Sequence, residues 1–336
     1  MNSIETDTSQ KQIYYRLIAL WVICEAFAGG IMHGIKIPFS GLVISSLAMI
    51  CIILIAYHVP EKNAILKATI IVAIFKLMLS PHSPGPAYIA VFFQGLLGNF
   101  LFGNKKYFTA SAIILGILGA VESAIQRLLV LVIVYGNAFW KAFNVYINKL
   151  TGEKSITNYT LFIAIGYIFI HAIVGLLVGI YASRMAKRSL HWKVQHPEFL
   201  IKHTEEHQNN FPKKKKKIKA AKWIFVICWA LLISAYVYSW IVPGNAIIPK
   251  NEIMAMLLRS VLIITTWLFF LSPLLSLLIK KSIENKKVKH HEAIAVITKL
   301  LPESKSIFIS CWKFYAKEKG VARLKLFTKM LIINTI

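Results

Sequence analysis

The sequence predicts an all-α polytopic membrane protein, made of a six-helix bundle, two further transmembrane helices and a basic cytoplasmic helical tail. Of the 336 residues, 57% are hydrophobic and only 16% are charged, yet the formal net charge is +25. These proportions disfavour a water-soluble domain, because the apolar side chains exceed what one core buries and the charges fall in blocks. Apolar runs of about 20 residues match the hydrocarbon layer of a bilayer, which is about 30 Å thick.

Eight apolar runs are long enough to be candidate membrane helices. They are residues 15–32, 39–57, 64–79, 86–102, 107–135, 160–182, 223–242 and 254–279. No cleavable signal peptide is expected, since residues 1–12 are polar and Glu25 lies inside the first run. The four cysteines are far apart, so neither a disulfide framework nor a CxxC metal site is predicted.

The distribution of Lys and Arg predicts how the chain is oriented. Cytoplasmic segments next to membrane helices are enriched in these residues. Arg184, Lys187 and Arg188 directly follow the sixth apolar run. We therefore expect a multi-pass protein of the cytoplasmic (inner) membrane, with its N- and C-termini in the cytoplasm.

The pattern of apolar and basic segments predicts three parts. Residues 1–188 form a six-helix membrane domain, 189–221 a basic cytoplasmic linker, and 222–336 two transmembrane helices with a basic tail. The apolar spacing in the tail is typical of surface or interfacial helices. The linker contains five consecutive lysines, 213–217, without interleaved aromatic residues or a DNA-binding motif. We expect it to contact anionic lipid and not nucleic acid.

Several polar and ionisable side chains lie inside the first six apolar runs. An ionisable group in a bilayer costs about 2.5–3.5 kcal/mol on insertion scales, so it normally faces a cavity or a partner. Two interpretations are open: a shared cavity that opens outward, or pairing of Glu25 or Glu122 with Arg127 and hydrogen bonds across packed helices. The residues concerned are Glu25, Lys76, Gln94, Asn99, Glu122, Gln126, Arg127 and His171.

The fifth apolar run carries small and polar residues on one helical face. Gly119, Glu122, Ser123 and Gln126 recur at spacings of three and four residues, which places them on that face. Such a stripe either lets another helix approach closely or lines a binding site. Small residues at a spacing of four also occur in the first and sixth runs, where we expect helix packing or subunit docking: Ala26, Gly30, Gly175 and Gly179.

The loops predicted on the outer side hold further candidate residues. Residues 32–41 contain His33 and Lys36, and residues 80–85 contain His82. Imidazole suits several transition metals, but two histidines with no third ligand in those loops do not define a metal site. We therefore predict no metal and no cofactor. The long fifth loop has an apolar stripe that includes Trp140, which is typical of an interfacial helix or of a lid over a ligand.

Three segments carry a family resemblance: the first outer loop in GGIMHGIKIPFSGLVISSLAMIC, the proline-rich turn in KLMLSPHSPGPAYIAVFFQGLLGNFLF, and AIILGILGAVESAIQR. With the long fifth loop and the six-span layout, they resemble the substrate-binding S components of energy-coupling factor (ECF) transporters. The resemblance covers residues 12–188. After Arg188 the chain departs from the family pattern by two more spans and the basic tail.

The resemblance implies an S-component-like bundle that captures a small water-soluble micronutrient, a vitamin or a precursor, at the outer face. Transport would require a transmembrane T component and ATPase subunits. The family docks its T component on small residues of the first helix, which here are Ala19, Ala26 and Gly30. The expected substrate-binding residues are Gln94, Glu122, Gln126, Arg127 and His171, with His33, Lys36 and His82 at the mouth and Trp140 as the lid.

Two other functions are open from the sequence. The protein is either a membrane scaffold or sensor that recruits a cytoplasmic partner through its basic tail, or a membrane-embedded enzyme acting on a lipid-linked substrate. In the enzyme, Glu122 and His171 would serve as acid and base. The sequence has no Walker A loop, HExxH motif or GxSxG elbow. We therefore predict a transporter subunit that is not itself an enzyme, with any ATP hydrolysis on separate subunits.

Overall fold

The computed structural model describes residues 3–28, 39–80, 85–151, 159–201, 291–316 and 318–336, together with scattered positions between 234 and 278. All regular secondary structure in these residues is helical, which confirms the all-α class. Three described helices are long and apolar enough to cross a membrane: Ser40–His58, Phe108–Ile133 and Tyr159–Gln195. The predicted seventh and eighth spans lie mostly outside the described residues.

Eight helices organise the described residues. They are α1 (Ser3–Val22), α2 (Ser40–His58), α3 (Ala64–Leu79), α4 (Gly85–Leu101), α5 (Phe108–Thr151), α6 (Tyr159–Gln195), α7 (His291–Phe314) and α8 (Gly320–Thr335). α1 continues directly into a π-helix, Ile23–Ala28. α5 is kinked at Gly136, whose φ of 69° lies in the left-handed region that glycine adopts without strain.

The chain divides into two compact units. The first comprises Met1–Ala124, Ile168–Asn209 and Leu278–Ile336, and the second comprises Ile125–Tyr167 and Asn210–Leu277. The boundaries fall within α5 and α6. The C-terminal helices α7 and α8 therefore belong to the same unit as α1 to α4.

α1 is the central helix of the first unit. It packs against α2, α3, α7 and α8. Its last six residues, 17–22, are apolar on every face, and Leu17, Ile18, Trp21 and Val22 are completely buried. A helix without a polar face belongs in the interior, and the surrounding helices provide that environment.

The C-terminal helices each bury one face in this core. On α7 the buried side chains are Ile297, Ile307 and Cys311, and on α8 they include Phe327 and Met330. An ion pair of 3.7 Å between Arg16 of α1 and Glu303 of α7 joins the two helices at the surface. The predicted tail helices thus have a core-facing side as well as an exposed side.

A clasp made by Asn334 joins α8 to the segment that follows α6. Its side-chain oxygen accepts a hydrogen bond from the Ile201 N–H, and its Nδ2 donates to the Phe199 carbonyl, both at 2.8 Å. Nearby, the Lys329 ammonium donates to His196 Nε2 at 2.8 Å, so Nδ1 of His196 carries the proton and donates to Glu198. Residues 196–201, which lie within the predicted linker 189–221, are consequently fixed to α8.

Glycines allow α5 and α6 to approach closely within the first unit. A Cβ built on Gly175 would lie 2.2 Å from the carbonyl oxygen of Gly116, and one built on Gly179 would lie 2.6 Å from the Ala112 carbonyl oxygen. Any larger residue at these positions would force the backbones apart. Gly175 and Gly179 therefore pack helices within the chain.

Candidate functional site

A polar layer crosses the apolar interior where α2, α4 and α5 meet. Gln94 of α4 is 1% exposed, and its Nε2 donates a hydrogen bond to the Ser45 hydroxyl of α2 at 2.9 Å. The Ser45 hydroxyl in turn donates to the Gly119 carbonyl of α5 at 3.1 Å. One chain of hydrogen bonds thus connects three helices.

Small residues make room for this layer. A Cβ on Gly119 would lie 2.6 Å from the Met49 sulfur and 3.6 Å from Gln94 Cγ. One turn further along α5, the Ser123 hydroxyl lies 2.9 Å from the position of a Cβ on Gly41 of α2. The small and polar stripe predicted on the fifth run thus faces α2 and α4.

Two oxygen atoms of the layer have no hydrogen-bond partner among the described residues. They are Oε1 of Gln94 and Oε2 of Glu122, and both are inaccessible to solvent. Glu122 follows Gly119 by one turn and therefore lies on the same face of α5. A buried acceptor without a donor costs about 1–3 kcal/mol. Both oxygens can therefore accept a hydrogen bond from an N–H or O–H group of a ligand, and the Glu122 carboxylate can instead bind a proton.

A buried ion pair lies between the π-helix after α1 and the end of α3. Nζ of Lys76 is 2.7 Å from Oε2 of Glu25 and also donates to the Ala87 carbonyl of α4 at 3.1 Å. The Tyr88 ring lies 5.8 Å from the same ammonium. Single π-helical turns inside helices are frequent at functional sites. Glu25 lies in such a turn, so this pair is the second polar feature of the unit's interior.

His171 of α6 is also buried in the first unit, with 1% of its surface exposed. Its ring centroid lies 6.2 Å from that of Phe39, the residue that precedes α2. Phe39 has a positive φ of 62°, which few residues other than glycine adopt. The turn before α2 is thus packed against the buried histidine.

The remaining candidates lie in the second unit or beyond the described residues. Gln126 and Trp140 are half-buried and Arg127 is exposed, and all three belong to the second unit. There, the Trp140 carbonyl accepts a hydrogen bond from the Thr160 hydroxyl at 3.4 Å. The predicted residues that lie outside the described part of the chain are His33, Lys36, His82 and Gly30.

Two of the three residues expected to dock a partner subunit, Ala19 and Ala26, are buried within the first unit. Ala19 is completely buried and Ala26 is 8% exposed. Both lie on the central segment formed by α1 and its π-helix, which α7 contacts along its length. The described part of this face is therefore occupied within the first unit.

Sequence reasoning missed the partners of the buried polar groups. Ser45 is one of two adjacent serines inside an apolar run, and this local interruption was the available signal for the polar layer. Lys76 was recognised as ionisable, but its partner Glu25 is 51 residues away in sequence. Among the described residues, no three His, Cys, Asp or Glu side chains come together in a way that could hold a metal ion.

Comparisons with protein-family models, with curated proteins and with solved structures gave no match. The resemblance to S components therefore stands on the sequence pattern alone.

Proposed function

We propose that this protein is a multi-pass subunit of the cytoplasmic membrane that binds a small water-soluble micronutrient, a vitamin or a precursor. In this proposal a transmembrane T component and ATPase subunits drive transport, and the chain itself performs no catalysis. The observation that supports it best is the buried polar layer, in which Gln94 Oε1 and Glu122 Oε2 have no partner among the described residues.

A polar layer of this kind costs free energy in an apolar interior. A helix interface built only for stability would fill these positions with apolar side chains, since an unsatisfied buried acceptor destabilises the fold. A polar solute that presents N–H or O–H donors satisfies both oxygens when it binds. In the free protein the two acceptors would lack donors, which lowers the stability of the fold. Binding sites commonly carry such a loss of stability.

The proposal also assigns roles to the residues predicted from sequence. Gln94 and Glu122 would hydrogen-bond the solute, and His171 would contribute a third buried polar side chain within the first unit. The roles expected from the sequence for Gln126, Arg127, Trp140, His33, Lys36 and His82 stay predictions. We further propose eight membrane spans with both termini in the cytoplasm. The three described helices that are long and apolar enough to span support the membrane location, and the count and orientation come from the sequence pattern.

A binding screen tests the function directly. The full-length protein, purified in detergent, is heated in the presence of water-soluble vitamins and their precursors, and the midpoint of unfolding is recorded. A true ligand raises the midpoint by mass action. If the protein melts cooperatively and no compound shifts the midpoint, the proposal is wrong.

Variants then link the ligand to the polar layer. For a compound that binds, Gln94→Leu and Glu122→Gln should each weaken affinity about tenfold to hundredfold, the effect of losing one hydrogen bond to a charged or buried group. Asn99→Ala is the matched control, because Asn99 is on the same helix and pairs with Asn63 at the surface. If all three variants bind the compound with equal affinity, the polar layer is not part of the binding site.

A further inference from the structure

We infer that the exposed side of the α7–α8 hairpin docks on an anionic lipid surface. The docking surface consists of apolar and basic side chains that the core of the first unit does not use. It is defined by Ile309, Trp312, Lys313, Lys319, Leu324 and Lys325, with the half-buried Arg323 beside Trp312. This inference does not depend on which solute the protein binds.

The docking surface exposes more apolar side-chain area than packing within the first unit requires. Ile309 is 40% exposed, Trp312 42% and Leu324 52%, although other sides of both helices are buried. Clustered exposed apolar side chains next to a buried face mark an interaction site more often than a water-facing surface. Both helices therefore have an apolar side that the described residues leave uncovered.

Trp312 is held in place by its neighbours. The Arg323 guanidinium lies 4.1 Å from the centroid of the indole ring, and its Nη2 donates to the Trp312 carbonyl at 3.1 Å. The Phe327 ring meets the indole edge-on at 5.3 Å. A tryptophan fixed by a cation on one face is suited to the boundary between lipid headgroups and acyl chains, where an amphipathic ring is stabilised.

The charge of the hairpin selects the kind of lipid. Residues 291–336 contain eight Lys and Arg residues and three Glu residues, which gives an excess of five positive charges. Lys313, Lys319 and Lys325 are exposed beside the apolar residues. Basic side chains near a membrane are attracted to anionic headgroups such as phosphatidylserine, and the attraction falls with salt.

Contacts within the first unit tie the hairpin to a candidate membrane span. The Tyr181 hydroxyl of α6 and the Thr328 hydroxyl of α8 are 2.6 Å apart. Lys329 bonds His196, the residue that directly follows α6. α6 is one of the three helices long and apolar enough to span a membrane, so α8 is attached where that helix ends. A lipid surface is therefore the partner closest to the hairpin, and anionic headgroups match the positive charge of the docking surface.

Quenching of Trp312 by brominated lipid tests the inference on the full-length protein. The protein is placed in nanodiscs of brominated phosphatidylcholine, with or without phosphatidylserine. The signal of Trp312 is the difference between the wild type and Trp312→Phe, since the chain has eight tryptophans. We expect quenching in the phosphatidylserine discs at low salt, and its loss at high salt.

Surface variants separate the apolar contribution to lipid docking from the electrostatic contribution. Leu324→Asp should abolish the quenching by removing apolar contact, and a variant with Lys313, Lys319 and Lys325 changed to Gln should remove its dependence on phosphatidylserine. Val296→Asp is the control, because Val296 is 39% exposed on α7 but lies roughly 160° around the helix from Trp312. If Leu324→Asp fails to fold, the lysine variant carries the test, since its side chains lie on the surface.

Three results would overturn the inference. Trp312 could remain unquenched in every disc, which excludes lipid contact. It could be quenched equally with and without phosphatidylserine, which excludes selection by charge. It could be quenched only in discs that hold two copies of the protein, which makes a second copy the occupant.

Discussion

The ammonium of Lys76 lies 2.7 Å from the carboxylate of Glu25, and both residues are only 5% exposed. Charges buried this deeply are tolerated because each neutralises the other and the ammonium has a second acceptor in the Ala87 carbonyl. The pair joins the π-helix after α1 to the end of α3 at the start of α4. It therefore fixes the π-helix, α3 and α4 to one another.

Removing one partner of this pair should destabilise the protein strongly. Lys76→Met or Glu25→Gln alone is expected to lower the free energy of unfolding by about 3–5 kcal/mol, because the remaining charge is left buried and uncompensated. The double variant Glu25→Gln/Lys76→Met should recover much of the loss. Unfolding of the detergent-solubilised protein by denaturant measures all three. Additive losses in the double variant would show that the two charges do not stabilise each other.

The helix boundaries followed closely from the sequence wherever an apolar run ends at turn residues. The run 64–79 coincides with α3, and 39–57 differs from α2 by one residue at each end. The predicted sixth run ended at residue 182, but α6 continues to Gln195. This extension contains Arg184, Met185, Ala186, Lys187 and Arg188 in succession, residues that favour helix in water as well as in a membrane, so hydropathy alone did not reveal it.

The site was only partly predictable for a different reason. Polar residues in apolar runs identified Gln94, Glu122 and His171 as unusual, because burying them costs free energy. Their partners depend on which helices pack together, and this depends on contacts between residues far apart in the sequence. The link from Gln94 through Ser45 to Gly119 spans three helices and has no local signature. The hydrogen bonds of Asn334 to Phe199 and Ile201 likewise have no local signature in the sequence.

Gly175 should be intolerant of even the smallest side chain. Gly175→Ala places a Cβ 2.2 Å from the Gly116 carbonyl oxygen, and overpacking of this kind costs about 1–3 kcal/mol. Gly166→Ala on the same helix is the matched control, since no atom lies within 4 Å of its Cβ position. Alanine there should be neutral or slightly stabilising, because alanine favours helix more than glycine. Equal midpoints of thermal unfolding for the two variants would contradict the close approach of α5 and α6.

The exposed carboxylate of Glu198 should give stability a small dependence on acid pH. The hydrogen bond from His196 lowers the pKa of Glu198 below its usual value. Since the folded pKa is lower than the unfolded one, this contribution is present above the unfolded pKa and is lost as the pH falls through the folded pKa. The wild type should lose slightly more thermal stability than Glu198→Gln between neutral pH and about pH 3. Parallel pH profiles for the two proteins would exclude the contribution.

Asn334→Leu should release the segment after α6 from the C-terminal helix. Leucine has a similar size but leaves the Ile201 N–H and the Phe199 carbonyl without their partner, at an expected cost of about 1–3 kcal/mol. The opening should be local, so hydrogen exchange at 199–201 should accelerate more than exchange in α2. Thr298→Ala is the control, because the Thr298 hydroxyl bonds only the Ile294 carbonyl of its own helix. Unchanged exchange at 199–201 in Asn334→Leu would mean that packing of α8, and not the hydrogen bonds of its Asn334 amide, fixes these residues.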